Sequence, residues 1–84
     1  MWFVYVIKST RSPFIYIGHT EDLEKRLGQH NEGLNLSTKH HIPFVLEAYV
    51  GVKTEVQAIQ LEKYFKTGSG KSVLKRRILM FDED

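Results

Sequence analysis

The sequence contains no cysteine, which excludes disulfide bonds, a thiolate zinc site and a cysteine nucleophile. It also has no apolar run that approaches the roughly 20 residues needed to cross a bilayer. Residues 1–8 are too few for a signal peptide and lack a basic leader, so we expect a cytoplasmic protein. A length of 84 residues predicts a single domain over residues 1–84, with a thin core because short chains bury a small share of their surface.

The residues that are present indicate a folded domain with an uneven distribution of charge. Hydrophobic residues make up 42% and charged residues 26%, which is typical of globular and not of disordered chains. The formal net charge is only +2, because the acidic tail Asp82-Glu83-Asp84 partly offsets a basic cluster that contains no acid. A local basic cluster favours a polyanionic partner, although a solvated helical face is the alternative. The members of this cluster are Lys63, Lys66, Lys71, Lys75, Arg76 and Arg77.

Apolar and turn-forming residues predict three short strands. Residues 2–7 are all apolar and rich in aromatic and β-branched types, which indicates a buried strand. A second strand is predicted at residues 14–18. The polar turn at residues 9–13 would join the two as an antiparallel hairpin. A third strand is predicted at residues 44–50 and is expected to end at Gly51.

Capping signals predict three helices, which gives an α+β fold with the element order β-β-α-β-α-α. The first helix is expected to begin at Thr20 as its cap and to end near Gly33. The sequence Thr54-Glu55-Val56-Gln57 has the spacing of a capping box, and a second helix is predicted from there to about residue 66. A break at Gly68-Ser69-Gly70 is expected to precede a short third helix at residues 71–79.

Polar side chains interrupt the apolar faces of both longer helices. Glu62 lies about 40° from Ala58, within the apolar arc of the second helix, where a carboxylate is costly unless it is paired or holds a metal. Arg26 and His30 share the flank of the first helix that faces the sheet. Each also has a structural interpretation: Glu62 pairs with a lysine or arginine, Arg26 pairs with Asp22, and His30 complements the negative helix end.

Three further residues of the hairpin carry useful chemistry. Tyr5 and Tyr16 lie on its two strands, although strand tyrosines are often only core residues. His19 follows Gly18 at the strand-to-helix turn, where side chains often face a cleft. Phosphodiester hydrolysis would suit a site in which these three side chains converge with Arg26, His30 and Glu62 over one face of the sheet. A carboxylate would hold a single Mg²⁺, a base would prepare water, and an arginine would neutralise phosphate charge.

The ordered set of motifs resembles the GIY-YIG nuclease superfamily, and most closely its small stand-alone bacterial, URI-type members. Phe3-Val4-Tyr5 is followed by Tyr16-Ile17-Gly18 and by Arg26 on the next helix. The resemblance covers nearly the whole chain and includes Glu62-Lys63-Tyr64-Phe65-Lys66. The chain departs from the family pattern at Phe3, which stands where the name-giving glycine occurs, and it lacks an asparagine that several members carry near the C-terminus.

The resemblance implies a three-stranded antiparallel sheet flanked by three helices and a one-metal hydrolysis of DNA phosphodiester bonds with Mg²⁺ or Mn²⁺. Tyr5 and Tyr16 would lie near the attacking water, one of them as general base, and His19 would assist that base. Arg26 would stabilise the scissile phosphate. His30 matches a histidine or tyrosine that many members carry one helical turn after that arginine. Glu62 would bind the metal.

The partner is therefore expected to be DNA, with RNA as an alternative, and a homodimer or a partner protein remains open. Sequence-independent backbone contacts are expected from the basic cluster and from Lys39 in the preceding loop. A catalytically weak nucleic-acid-binding module acting with a partner is the alternative function. A purely structural or protein-interaction domain is a third.

Overall fold

A computed structural model describes residues 1–80 and confirms the predicted α+β fold and element order. The acidic tail at residues 82–84 lies outside the described residues. Within residues 1–80, no helix has the length and apolar character to span a membrane. The elements are β1 (Trp2–Ser9), β2 (Ile15–Thr20), α1 (Leu23–Asn31), a 3-10 turn (Lys39–His41), β3 (Phe44–Val52), α2 (Glu55–Phe65), α3 (Gly68–Val73) and a π-helical continuation (Leu74–Leu79). The three strands form one antiparallel sheet in the order β2-β1-β3.

The central strand β1 is covered on both faces, which explains why its residues form a continuous apolar run. Val4 and Val6 face α2 and α3 and pack in the cluster that contains Ala58, Phe65 and Leu74. Tyr5 and Ile7 point to the opposite face, where they pack with Phe44, Leu23 and Leu27 beneath α1. The sheet therefore separates two apolar layers, and successive residues of a strand lie in different layers.

The start of α1 lies two residues later than predicted. The N-cap is Asp22, whose Oδ1 accepts a hydrogen bond from the Lys25 N–H at 3.1 Å. The prediction of Thr20 as the cap is wrong, because Thr20 still belongs to β2 and its hydroxyl accepts from the Asp22 N–H at 3.1 Å. The predicted end is confirmed by Gly33, which has φ +78° and donates its N–H to the His30 carbonyl at 3.1 Å.

The capping box at the start of α2 is confirmed, with reciprocal bonds between Thr54 and Gln57. The third strand, however, continues past its predicted end. Gly51 pairs with Phe3 inside β3, so the prediction that it ends the strand is wrong. Because Gly51 has no side chain, there is space beside it for the side chain of Met1. A Cβ at Gly51 would lie 2.8 Å from the sulfur of Met1.

The prediction that residues 68–70 break the chain between two helices is also wrong. Gly68-Ser69-Gly70 form the first turn of α3, and Thr67 caps it by accepting from the Gly70 N–H at 3.0 Å. At Gly70 a Cβ would come within 1.7 Å of the Tyr64 carbonyl oxygen of α2. This glycine therefore permits close packing between two helices, and the change of direction occurs at residues 66–67.

Candidate active site

The residues predicted to act in catalysis lie in two groups, on opposite faces of the sheet at strand β2. Tyr5 and Tyr16 lie on the face beneath α1, together with His30. His19 lies on the other face, where it contacts Glu62 of α2. The expectation that all of them converge over one face is wrong, because Tyr16 and His19 are an odd number of positions apart on one strand and side chains alternate between faces.

The group beneath α1 is a buried hydrogen-bonded network around the phenol of Tyr5. Tyr5 Oη lies 2.8 Å from His30 Nε2, and it accepts a hydrogen bond from Arg26 Nε at 3.3 Å. Arg26 Nη1 donates to Gln29 Oε1 at 3.0 Å. Tyr5 is 2% exposed and His30 is fully buried. Within residues 1–80 no ion pair joins Arg26 to Asp22, so the structural interpretation of Arg26 is not met.

Burial makes this network neutral apart from the guanidinium. Loss of hydration and, to a smaller extent, the positive charge of Arg26 lower the pKa of His30 to about 4. Burial also raises the pKa of Tyr5, against the opposing effect of Arg26. At neutral pH His30 is therefore uncharged and contributes no positive charge to the end of α1. A neutral imidazole has one unprotonated ring nitrogen, which can accept a hydrogen bond from the phenol.

The absence of a side chain at Gly18 keeps this network in place. Gly18 is the residue of β2 that pairs with Tyr5. A Cβ at Gly18 would lie 2.5 Å from Tyr5 Oη and 3.1 Å from the ring of Tyr16. The glycine of the second motif therefore leaves space for the phenol of Tyr5 to reach its two partners.

The second group is charged and partly exposed. Glu62 Oε1 lies 2.6 Å from His19 Nδ1, and Oε2 lies 2.6 Å from Lys66 Nζ one helical turn later. Burial alone would raise the pKa of Glu62, but its hydrogen bonds to His19 and Lys66 outweigh that effect and lower it. Glu55 lies 3.8 Å from His19 Nε2. The structural interpretation of Glu62, pairing with a lysine, is therefore observed.

Two cavities beside β2 bring the groups to the same edge of the molecule. One, of about 380 Å³, is lined by both His19 and Arg26, with Trp2 and Gln29 beside them. The other, of about 260 Å³, is lined by Tyr16 and by three lysines. Lys66 Nζ lies 6.0 Å from the centre of the Tyr16 ring, so the charged group and the phenol-bearing face meet around this edge.

The structure divides the predicted basic residues into two sets. Lys66, Lys71 and Lys75 line the smaller cavity, above the apolar side chains of Ile15 and Ile17. The remaining basic residues are exposed and line neither of these two cavities. They are Lys39 in the 3-10 turn, Lys63 on α2, and Arg76 and Arg77 on the π-helical segment.

The side chains present fit a cation that takes few of its ligands from the protein. Residues 1–80 contain no group of three or more histidine and carboxylate side chains placed to hold a metal. Glu62 supplies one ionised carboxylate, which suits Mg²⁺ when waters and substrate oxygens fill its remaining positions. Both oxygens of Glu62 already have partners. The Lys66 side chain is 48% exposed, so its ammonium group can move into solvent and leave one carboxylate oxygen for a cation.

Three residues of the site were missed by sequence reasoning. Gln29 follows Arg26 at helical spacing, so its contact with the guanidinium was readable from the sequence. Lys66 was assigned to nucleic acid alone, although it stands one turn after Glu62. Thr38 is fully buried, and its Oγ1 lies 2.8 Å from His30 Nδ1. Its position in a polar loop gave no signal of that contact.

Comparison with known proteins places the chain in a family. The family model described as the GIY-YIG catalytic domain matches residues 1–77. The UPF0213 protein YsiG of Lactococcus lactis subsp. lactis is 33% identical over 84 residues, which cover 99% of this chain and 77% of that protein. The UPF0213 protein YazA of Bacillus subtilis is 35% identical, over 96% of this chain and 78% of that protein. A UPF0213 protein of Bacillus licheniformis is 37% identical, over 81% of this chain and 71% of that protein. No solved structure matches the chain.

Proposed function

We propose, since this chain belongs to the GIY-YIG catalytic domain family of nucleases, that it is a metal-dependent endonuclease acting on DNA phosphodiester bonds. One observation carries the proposal. Arg26, which donates to the buried phenol of Tyr5, lines one cavity together with His19, which contacts the ionised carboxylate of Glu62. A proton acceptor, a cation for the phosphate and an acidic ligand are the parts that this hydrolysis requires.

The buried network would provide the general base. Tyr5 takes a proton from the attacking water after its own proton passes to Nε2 of His30, which is neutral and 2.8 Å away. Burial opposes this transfer at both ends, because it keeps the Tyr5 phenol protonated and makes His30, with a pKa of about 4, a weak proton acceptor. The proposal therefore depends on Arg26, whose Nε–H already donates to the phenolic oxygen and would stabilise the phenolate. The same guanidinium would also neutralise charge on the scissile phosphate.

The charged group would hold the cation. Glu62 is the proposed ligand, and His19, at 2.6 Å from one of its oxygens, would orient the carboxylate. When bound, the cation supplies polarisation of the phosphate and stabilisation of the leaving oxygen. Tyr16, which lines the cavity beside Lys66, would lie on the substrate side of this arrangement.

The three lysines of the smaller cavity are the proposed contacts for the nucleic-acid backbone. Lys66, Lys71 and Lys75 present positive charge on one cavity next to Tyr16, and phosphate contacts of this kind carry no sequence information. Lys39, Lys63, Arg76 and Arg77 remain proposed contacts outside that cavity. A homodimer or a partner protein is proposed to supply what one site lacks for cutting two strands.

A nucleic-acid-binding module with little activity alone is the second candidate. It is favoured by the fact that both oxygens of Glu62 are engaged by His19 and Lys66. A partner protein would then have to rearrange this group before catalysis.

A plasmid-nicking assay with Mg²⁺ or Mn²⁺ tests the two candidates. We expect nicking by the parent protein and a loss of about 100-fold or more in Glu62→Ala and in Arg26→Ala. Circular dichroism would establish that both variants remain folded. Glu47→Ala and Lys53→Ala are matched controls, since both residues are exposed and line neither cavity.

Equal nicking by the parent and the two site variants would overturn the site assignment. A parent that binds DNA without nicking it, and binds equally well as Glu62→Ala, would favour the binding module. The same assay on RNA distinguishes the two nucleic acids.

A further inference from the structure

The buried network around Tyr5 continues beyond His30 into the loop that precedes β3. His30 Nδ1 lies 2.8 Å from Thr38 Oγ1. Thr38 Oγ1 in turn lies 3.4 Å from the carbonyl oxygen of Asn35 and donates to it. Both His30 and Thr38 are fully buried. A chain of polar groups therefore runs from the Arg26 guanidinium through Tyr5, His30 and Thr38 to the backbone at Asn35.

The two ends of this chain fix its direction. A guanidinium nitrogen can only donate, so Tyr5 Oη accepts from Arg26 Nε. A backbone carbonyl can only accept, so the Thr38 hydroxyl is the donor to Asn35. Every group between them donates to the next one. Tyr5 then donates its proton to His30 Nε2, and the proton of the neutral imidazole resides on Nδ1, which donates to Thr38 Oγ1.

The opposite tautomer would break this order. With its proton on Nε2, His30 would donate to Tyr5 Oη, which already accepts from Arg26. The buried phenolic proton would then have no acceptor among the hydrogen bonds described for residues 1–80, which is unfavourable. The Thr38 hydroxyl would also have to turn away from the Asn35 carbonyl to donate a hydrogen bond to His30 Nδ1.

We propose that Thr38 is a positioning residue for the hydrolysis, because it holds His30 in the tautomer whose Nε2 is free to accept the Tyr5 proton. The catalytic part of this inference rests on the proposed function, while the tautomer itself does not. In the proton transfer the O–H bond of Tyr5 breaks and an N–H bond forms at His30 Nε2. The products are a phenolate beside Arg26 and an imidazolium that still donates from Nδ1 to Thr38, so the net charge of the pair is unchanged.

The loop backbone explains how Thr38 is held at this point. The carbonyl oxygen of Asn35 also accepts from the N–H groups of Thr38 and Lys39, at 3.1 and 3.0 Å. A turn closed by both bonds fixes the direction in which the Thr38 side chain points.

The side chain of Asn31 connects the end of α1 to β3. It accepts a hydrogen bond from the Phe44 N–H and donates one to the Phe44 carbonyl.

Nitrogen-15 NMR of the histidine rings in the free protein at pH 7 tests the tautomer without any reaction. We expect His30 in the parent to carry its proton on Nδ1, and Thr38→Ser, which keeps the hydroxyl, to show the same signature. Thr38→Val has a similar shape without the hydroxyl, and there we expect the Nε2-protonated form to appear. A parent protonated on Nε2, or a Thr38→Val variant with the unchanged parental signature, would overturn the proposal.

Nicking kinetics test the catalytic part with the same variants. We expect Thr38→Val to lower kcat by about tenfold or more with little change in KM, and Thr38→Ser to recover most of that loss. A Thr38→Val variant with parental kcat would overturn the positioning role. Should Thr38→Val fail to fold, the tautomer of the parent and of Thr38→Ser still decides the question. A parent with the expected tautomer but no nicking would instead overturn the proposed function.

Discussion

The two sides of strand β2 hold the candidate chemistry in different physical states. Beneath α1, Tyr5 and His30 are buried, and every hydrogen bond of the pair is satisfied by the fold itself. Against α2, Glu62 is charged and partly exposed, and it is held by the side chains of His19 and Lys66. A buried network keeps its geometry before any ligand arrives, whereas a charged pair near solvent can exchange one partner for another.

This difference suggests a division of labour between the two groups. The proton transfer proposed for the buried side would need accurate distances, and the sheet and α1 hold these side chains in place. The cation proposed for the charged side would need an ionised carboxylate, and His19 and Lys66 favour that state by lowering the pKa of Glu62. Disturbing the first group should therefore affect the chemical step most, and disturbing the second should affect ligand binding.

Removal of the phenolic hydroxyl of Tyr5 gives the largest expected effect. In Tyr5→Phe the ring still fills its buried place, but the group proposed as general base is lost. We expect nicking to fall by about 10²–10⁴-fold. We also expect a loss of about 2–4 kcal/mol in the free energy of unfolding, because the bonds to His30 and Arg26 disappear and the buried imidazole is left without a partner. Rates and urea titrations measure the two quantities.

Tyr49→Phe is the matched control for this prediction, because Tyr49 is 55% exposed on β3 and lines neither cavity. We expect parental rates and stability in that variant. A Tyr5→Phe protein that nicks at the parental rate would show that the buried side does not provide the base.

The buried and charged sides should also respond to acid over different pH ranges. The pKa of His30 is about 4 in the folded protein and near 6.5 when unfolded. The unfolded chain therefore binds more protons between these values, and stability falls as the pH drops from about 6.5 to 4. The shift corresponds to at most about 3 kcal/mol. Glu62 contributes at lower pH. Its depressed pKa stabilises the fold above about pH 4.5, and this contribution is lost as the pH falls through the pKa of Glu62 in the folded protein.

Urea unfolding at a series of pH values, on the parent and on Glu62→Gln, separates the two contributions. We expect Glu62→Gln to keep the loss of stability between pH 6.5 and 4 and to lose only the part at lower pH. A parent whose stability stays constant from pH 6.5 to 4 would contradict a buried neutral His30.

Local sequence signals predicted the fold well, and the errors have identifiable causes. The capping box at Thr54 was correct because its partners are close in sequence. The prediction of Thr20 as a cap failed because nothing local shows that β2 extends through this residue. Gly70 was interpreted as a helix breaker because nothing local shows that the Tyr64 carbonyl of α2 lies against it.

The site was predictable as a set of residues but not as an arrangement. Helical spacing placed Arg26 and His30 on one flank, and both do contact the phenol-bearing face. Strand alternation alone separates Tyr16 from His19, which are three positions apart on β2. The contact between His30 and Thr38 depends on how the loop after α1 folds back, and no periodic pattern records such a contact.

A smaller effect is expected when the lysines of the cavity beside Tyr16 are removed. In the double variant Lys71→Ala/Lys75→Ala we expect the slope of log affinity against log salt to become shallower by about 1.8, since each phosphate contact to duplex DNA contributes about 0.9. Fluorescence anisotropy with a labelled duplex at several salt concentrations measures this slope. The double variant Lys39→Ala/Lys63→Ala is the comparison, because those lysines line neither cavity. An equal change in both pairs would show that the cavity is not a preferred contact.

The smallest expected effect concerns the partner exchange at Glu62. Lys66 Nζ lies 2.6 Å from the carboxylate, where it competes electrostatically with any divalent cation that Glu62 binds. Lys66→Met keeps the length of the side chain but removes its charge, so we expect Mn²⁺ to bind a few-fold more tightly, as exposed ion pairs contribute up to about 1 kcal/mol. Electron paramagnetic resonance of Mn²⁺ titrated into the free protein measures this affinity without a substrate. Lys63→Met, on the same helix, is the control and should leave the affinity unchanged. Weaker binding in Lys66→Met than in Lys63→Met would mean that Lys66 supports the carboxylate and does not compete for it.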